Sequence, residues 1–144
     1  LSPHNMGFAH FWVLFQHQRR NYSTVKAFLA SALRFFVACS MVGTIDEYRA
    51  TEHDSVLVGW SQIVIKGKTL RGMWFYQTKF AAAHKMYVWH GAIRDAVALA
   101  IATKHVEHVD IGPSRDQALR DMKAKFGFLD CQNWKEICNY SGPF

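Results

Sequence analysis

Proline is scarce in the 144-residue chain, with three residues, and there is no low-complexity tract or internal repeat, which argues against long linkers. Cysteine is equally scarce. Cys39, Cys131 and Cys138 make an odd count with no Cys-x-x-Cys pair. A disulfide framework is therefore not expected, and a reducing intracellular compartment, cytoplasm or organelle interior, is. Long apolar runs are missing too. The most apolar stretch, Ala27 to Gly43, holds Arg34 and is short for a bilayer span. It reads as a buried or partner-facing helix, with peripheral membrane contact left open. The chain starts at Leu1 rather than Met, so a removed targeting segment is allowed for.

What is present points to a folded domain. Half of the residues are hydrophobic and 15% are aromatic, enough for a real core. The formal net charge of +6 favours an anionic partner: nucleic acid, an anionic membrane, a CoA-type cofactor or an acidic protein. The basic residues come in small groups, Arg19-Arg20, Lys66/Lys68/Arg71 and Lys123/Lys125, without the density of a nucleic-acid-binding tail. Nucleic acid is not the expected partner. His105 and His108, like His10 and His17, have no obvious third ligand nearby, so no metal is expected.

Periodicity predicts the elements. The run Phe8 to Phe15 fits a strand or a helix. Val25, Phe28, Leu29, Leu33, Phe36, Val37 and Met41 recur at helical spacing, with Ser23 or Thr24 as N-cap and Gly43 as a stop. Thr44 to Asp54 is a polar loop or the start of a strand. Val56–Ile65 and Thr69–Gln77 form a hairpin about Lys66-Gly67-Lys68. Lys85–Trp89 reads as a third strand, followed by a helix from Gly91 or Ala92 to about Lys104 and a short strand, Glu107–Ile111. Ser114 caps a helix that runs to about Lys125, Gly127 ends it, and Phe128–Cys131 begins a last strand. The fold class is α/β (α+β): a mixed sheet flanked by helices and preceded by an apolar N-terminal helix. One domain is expected over 1–144, with an apolar helical segment at 1–55, a core at 56–131 and a tail at 132–144.

The flow Met-Trp-Phe-Tyr, Lys-Met-Tyr-Val-Trp-His-Gly-Ala, Val-Asp-Ile-Gly-Pro-Ser, Lys-Phe-Gly-Phe resembles the GNAT superfamily of N-acyltransferases, in particular the branch related to peptidoglycan aminoacyl transferases. The resemblance covers about Val56 to Cys131. It implies transfer of an acyl group from acyl-CoA, acetyl-CoA or a related donor, to a small-molecule or protein amine. It places the donor at Tyr87, Val88, Trp89, His90, Gly91, Ala92 and Arg94, in a V between strands 85–89 and 107–111, with Ser114 nearby. Counting back from Gly127 puts Lys123 where the family often has a Tyr general acid. The phosphate loop keeps one glycine, Gly91. Glu47 and Glu52, in the one acidic cluster, are the candidate general bases, beside the simpler reading of a solvated loop. The alternative is a catalytically inactive protein of the same fold, serving as a subunit of a larger protein or membrane-associated complex and contacting it through the apolar segment 8–43.

Overall fold

The structure, a computed structural model, describes residues 2–50, 56–112 and 117–129. The chain divides into two compact units, Leu1–Ile111 and Gly112–Phe144, so the expected core of 56–131 runs across the division. In the first unit the order is α1 (Phe8–Gln18), α2 (Thr24–Ser40), β1 (Thr44–Ala50), β2 (Val56–Lys66), β3 (Thr69–Gln77), α3 (Lys79–Ala83), α4 (Val88–Ala102) and β4 (His108–Asp110). The second unit contributes α5 (Gln117–Lys125). The strands make one sheet in the order β1-β2-β3-β4; the first two pairings are antiparallel and the last is parallel. The fold is thus a mixed α+β arrangement with helices on a mixed sheet.

Local chemistry explains the elements. The β2–β3 hairpin closes at Lys66↔Thr69, and Gly67 takes φ +59° while Lys68 stays out of the left-handed region, the pattern of a type II′ turn. Phe8–Phe15 resolves as a helix because His10, Val13, Leu14 and Gln18 share its buried face at helical spacing. In α2 the buried positions are small, Ala27, Ser31 and Ala38, and the large side chains lie elsewhere. Phe11 of α1 meets Phe28 and Phe35 of α2 edge-on, with centroids 5.7 Å apart in each case.

Side-chain alternation splits the core between the two faces of the sheet. On one face Val13, Leu14 and Ala38 pack on Ile45, Leu57, Trp60 and Tyr76. On the other, Ala81 and Val88 pack on Ala50 and Val58, and Ala96 and Ala100 pack on Ile63 and Leu70. Helices α1 and α2 therefore cover one face, and α3 and α4 the other. Gly59 of β2 seats the first turn of α4: a Cβ there would lie 2.9 Å from Val88 Cγ1 and 3.1 Å from the Tyr76 carbonyl oxygen. Gly59→Ala is expected to lower stability by about 1–3 kcal/mol through overpacking, measured by urea denaturation. An unchanged midpoint would mean that α4 does not bear on β2.

Two expectations need correction. Lys85–Trp89 is not a strand. Helix α3 ends there in a Schellman turn, with Met86 N–H donating to the Ala81 carbonyl (3.1 Å) and Lys85 N–H to that of Ala82 (3.2 Å), and Lys85 left-handed at φ 48°. The next helix begins at Val88, not at Gly91 or Ala92. At the far end, Phe128 and Leu129 are not in a strand, and 130–131 lie outside the described residues. Lys-Phe-Gly-Phe is itself a Schellman turn: Phe128 N–H donates to Lys123 O (3.2 Å), Gly127 N–H to Ala124 O (2.9 Å), and Gly127 has φ +87°.

Candidate functional site

Strands β3 and β4 pair over Thr69↔His108, Leu70↔Val109 and Arg71↔Asp110, and the pairing stops there. Strand β3 runs on to Gln77. Just past this pairing its register against β2 slips, from Ile63↔Gly72 to Gln62↔Trp74, so Met73 is an extra residue. Such a bulge bends and over-twists its strand, and it falls just past the last residue of β3 that pairs with β4. Among the described residues, 72–77 then have a strand partner on the β2 side only.

The start of α4 packs on β2, where Val88 meets Gly59, and reaches β3 through Trp89. Its N-cap, Tyr87, is left-handed at φ 52° and gives the helix no side-chain cap. His90 and Gly91 N–H groups return to the Tyr87 carbonyl, whereas those of Val88 and Trp89 have no acceptor among the described residues. Between α4 and the sheet is a cavity of about 90 Å³, lined by Met73, Trp74, Phe75, Trp89, Ile93 and Ile111 among others, with no titratable side chain among the described residues of its walls. Trp89 leans on Phe75 with ring centroids 4.9 Å apart. The indole N–H groups of Trp74 and Trp89 are buried without an acceptor.

The structure brings the expected donor-binding residues together in the first turns of α4. Val88 is buried against the sheet and Ala92 lines the cavity. Tyr87 is exposed, with the His90 ring 5.4 Å from its own. Gly91 faces the Tyr48 ring, and exposed Arg94 pairs with Asp95 at 3.6 Å. The V expected between strands 85–89 and 107–111 is absent, because 85–89 is not a strand; β4 (His108–Asp110) pairs along its whole length with the start of β3. Glu52 and Ser114 lie outside the described residues. Lys123 belongs to the second unit, where it is buried and its Nζ donates to the Gly112 carbonyl at 2.9 Å.

Glu47 lies on the α1 face, away from α4. Its Oε2 is 2.6 Å from His10 Nε2 and 3.1 Å from Arg49 Nη2. His10 Nδ1 already accepts the Gly7 N–H at 3.1 Å, so the ring carries its hydrogen on Nε2 and donates it to Glu47. Neither His10 nitrogen has a free lone pair, and Glu47 is held by two donors. This pair joins α1 to β1 and is poorly placed as a base.

The neighbouring residues of β1 were not anticipated. Tyr48 OH donates to Asp95 Oδ2 of α4 at 3.3 Å. Burial raises the Tyr48 hydroxyl well above its ordinary value, reinforced by the Asp46 and Asp95 charges. Asp46 is also raised, by burial first and then by Asp95. The visible signal was strand alternation, which sends Glu47 to one face and Asp46 and Tyr48 to the other.

Among the described residues no three His, Cys, Asp or Glu side chains are grouped to hold a metal. Compared with protein-family models, with curated proteins and with solved structures, the chain matches none.

Proposed function

We propose that the chain is a GNAT-like N-acyltransferase whose acyl-CoA donor enters between β3 and β4, so that β3 takes the role first given to Lys85–Trp89. The reading rests on one observation: a parallel strand pair that ends at Arg71↔Asp110, leaving the bulged remainder of β3 without a described partner on that side, near an uncapped helix start. In this reading the Val88 and Trp89 N–H groups, with His90 and Arg94, receive the donor's phosphates. The open edge of β3 supplies N–H groups that polarise the thioester carbonyl. The acceptor amine attacks the carbonyl carbon and the C–S bond breaks. The amine loses a proton to solvent and the departing thiolate takes one up. With no titratable side chain lining the cavity among the described residues, rate in this reading comes from positioning and carbonyl polarisation.

Calorimetric titration with acetyl-CoA tests the reading. Micromolar affinity is expected, weakened about three- to fivefold by Arg94→Ala, as for an exposed ionic contact. A folded, monodisperse chain that binds no acetyl-CoA would sink it.

A second reading, the catalytically inactive subunit, is favoured by the small cavity and by Trp89 resting on Phe75. The two separate through Trp89→Ala. Binding by the wild type supports the enzyme, whereas binding gained only on removing the indole means that the cleft is plugged and, like failure of both proteins, favours the inactive subunit.

A further inference from the structure

Helices α1 and α2 carry large apolar side chains into solvent. Phe8 is 77% exposed, Leu29 62%, Leu33 66% and Phe36 71%, and Val25, Phe28 and Trp12 add to the same region. On α2, Val25, Leu29, Leu33 and Phe36 recur at helical spacing along one stripe. On α1, Phe8 and Trp12 stack with centroids 6.3 Å apart, and Phe11 touches Phe28, joining the two apolar faces. Continuous exposure of this kind marks a binding surface.

Charge identifies the occupant. Residues 1–45 contain no Asp or Glu; the first acid is Asp46. The same stretch carries Arg19, Arg20, Lys26 and Arg34, of which the first three are exposed. A two-fold contact with a second copy would set this uniformly basic surface against itself without a carboxylate to relieve it. An anionic lipid surface complements both its features. No helix among the described residues is long and apolar enough to cross a membrane. Helix α2, 17 residues and about 25 Å long, suits an in-plane position, its apolar stripe among acyl chains and its basic residues at headgroup level.

We propose that the α1–α2 face docks in the plane of an anionic membrane surface. The proposal holds under either functional reading, and failure to bind vesicles would leave the acetyl-CoA titration untouched. Co-sedimentation of the full chain with phosphatidylcholine vesicles, with and without about 30% phosphatidylserine, tests it. At least tenfold greater partitioning onto the anionic vesicles is expected, falling as salt rises. Leu33→Gln with Phe36→Gln, both at exposed positions, should abolish pelleting while leaving the circular-dichroism melt unchanged. Separately, Arg20→Gln with Lys26→Gln should weaken anionic binding about fivefold per residue, the equivalent of about 1 kcal/mol each. Equal pelleting with neutral vesicles, or none with anionic ones, would overturn the proposal. So would a stable dimer in sedimentation velocity that hides the face, or an acidic protein that binds it while vesicles do not.

Discussion

Trp60→Ala is expected to cost about 3–5 kcal/mol, the range for removing a large buried aromatic, against a total of about 5–15 kcal/mol for a typical domain. Trp60 has no exposed surface and sits where helix α1 meets the sheet. Its ring lies across Tyr76 at 5.0 Å, and its Nε1–H donates to the His10 carbonyl at 2.9 Å. Truncation therefore opens a cavity and releases α1 from β2 together. Urea denaturation of Trp60→Ala and Trp60→Phe separates the two parts. Phenylalanine keeps most of the volume and should lose about 1 kcal/mol for the missing hydrogen bond, plus a small packing term. A loss below 1 kcal/mol for the alanine variant would mean that α1 is not anchored on β2.

The consequence reaches the membrane-facing surface. Helix α1 is held to the sheet by Trp60, by the His10–Glu47 contact and by Val13 and Leu14. Its outer ring pair, Phe8 and Trp12, has no comparable partner in the sheet. A destabilised α1 would expose the inner apolar face as well, so Trp60→Ala should make vesicle binding less selective for anionic lipid.

Much of this fold was legible because local signals agreed. The hairpin carried a glycine at its turn, and α2 repeated apolar residues at helical spacing. The failure at Lys85–Trp89 has a specific cause. Met-Tyr-Val-Trp has strand-like composition, but Val88, Ala92, Ala96 and Ala100 recur every four residues and carry the buried helix stripe back to Val88. Lys85 disguised the preceding helix end, since its left-handed position is one normally held by glycine. Polar β1 was hard to read because it is an edge strand. Its acids and tyrosine face helices on both sides, Glu47 toward His10 and Tyr48 toward Asp95. The candidate cleft was misplaced because sequence marks the start of α4, whereas the Met73 bulge depends on pairing with β2, a strand partner the local sequence does not name.

Acid is expected to weaken the fold through His17, by up to about 3 kcal/mol between neutral pH and pH 4. Burial, then the charge of Arg20, with a smaller push from Arg34, lowers the imidazole from 6.5 to about 4. Gln77 N–H points at His17 Nδ1 at 3.5 Å, so the folded ring holds its one hydrogen on Nε2, and protonating Nδ1 would set two donors face to face. The Tyr76 ring, 5.2 Å away edge-on, offers no charge to compensate. Between pH 6.5 and about 4 the unfolded chain binds the proton and the folded chain does not. The stabilisation from His17 is complete above 6.5 and lost progressively as pH falls. Asp46 works the other way: its raised folded value means that its ionised form is a cost at neutral pH, relieved on acidification. Urea denaturation of wild type and His17→Asn across this range isolates the histidine, since Asp46 is common to both and cancels. Asparagine can accept the Gln77 N–H without titrating, so the gap between the two proteins should shrink or reverse by about 3 kcal/mol from pH 7 to pH 4. A constant gap would place His17 in water and undo the packing of α1 against the end of β3.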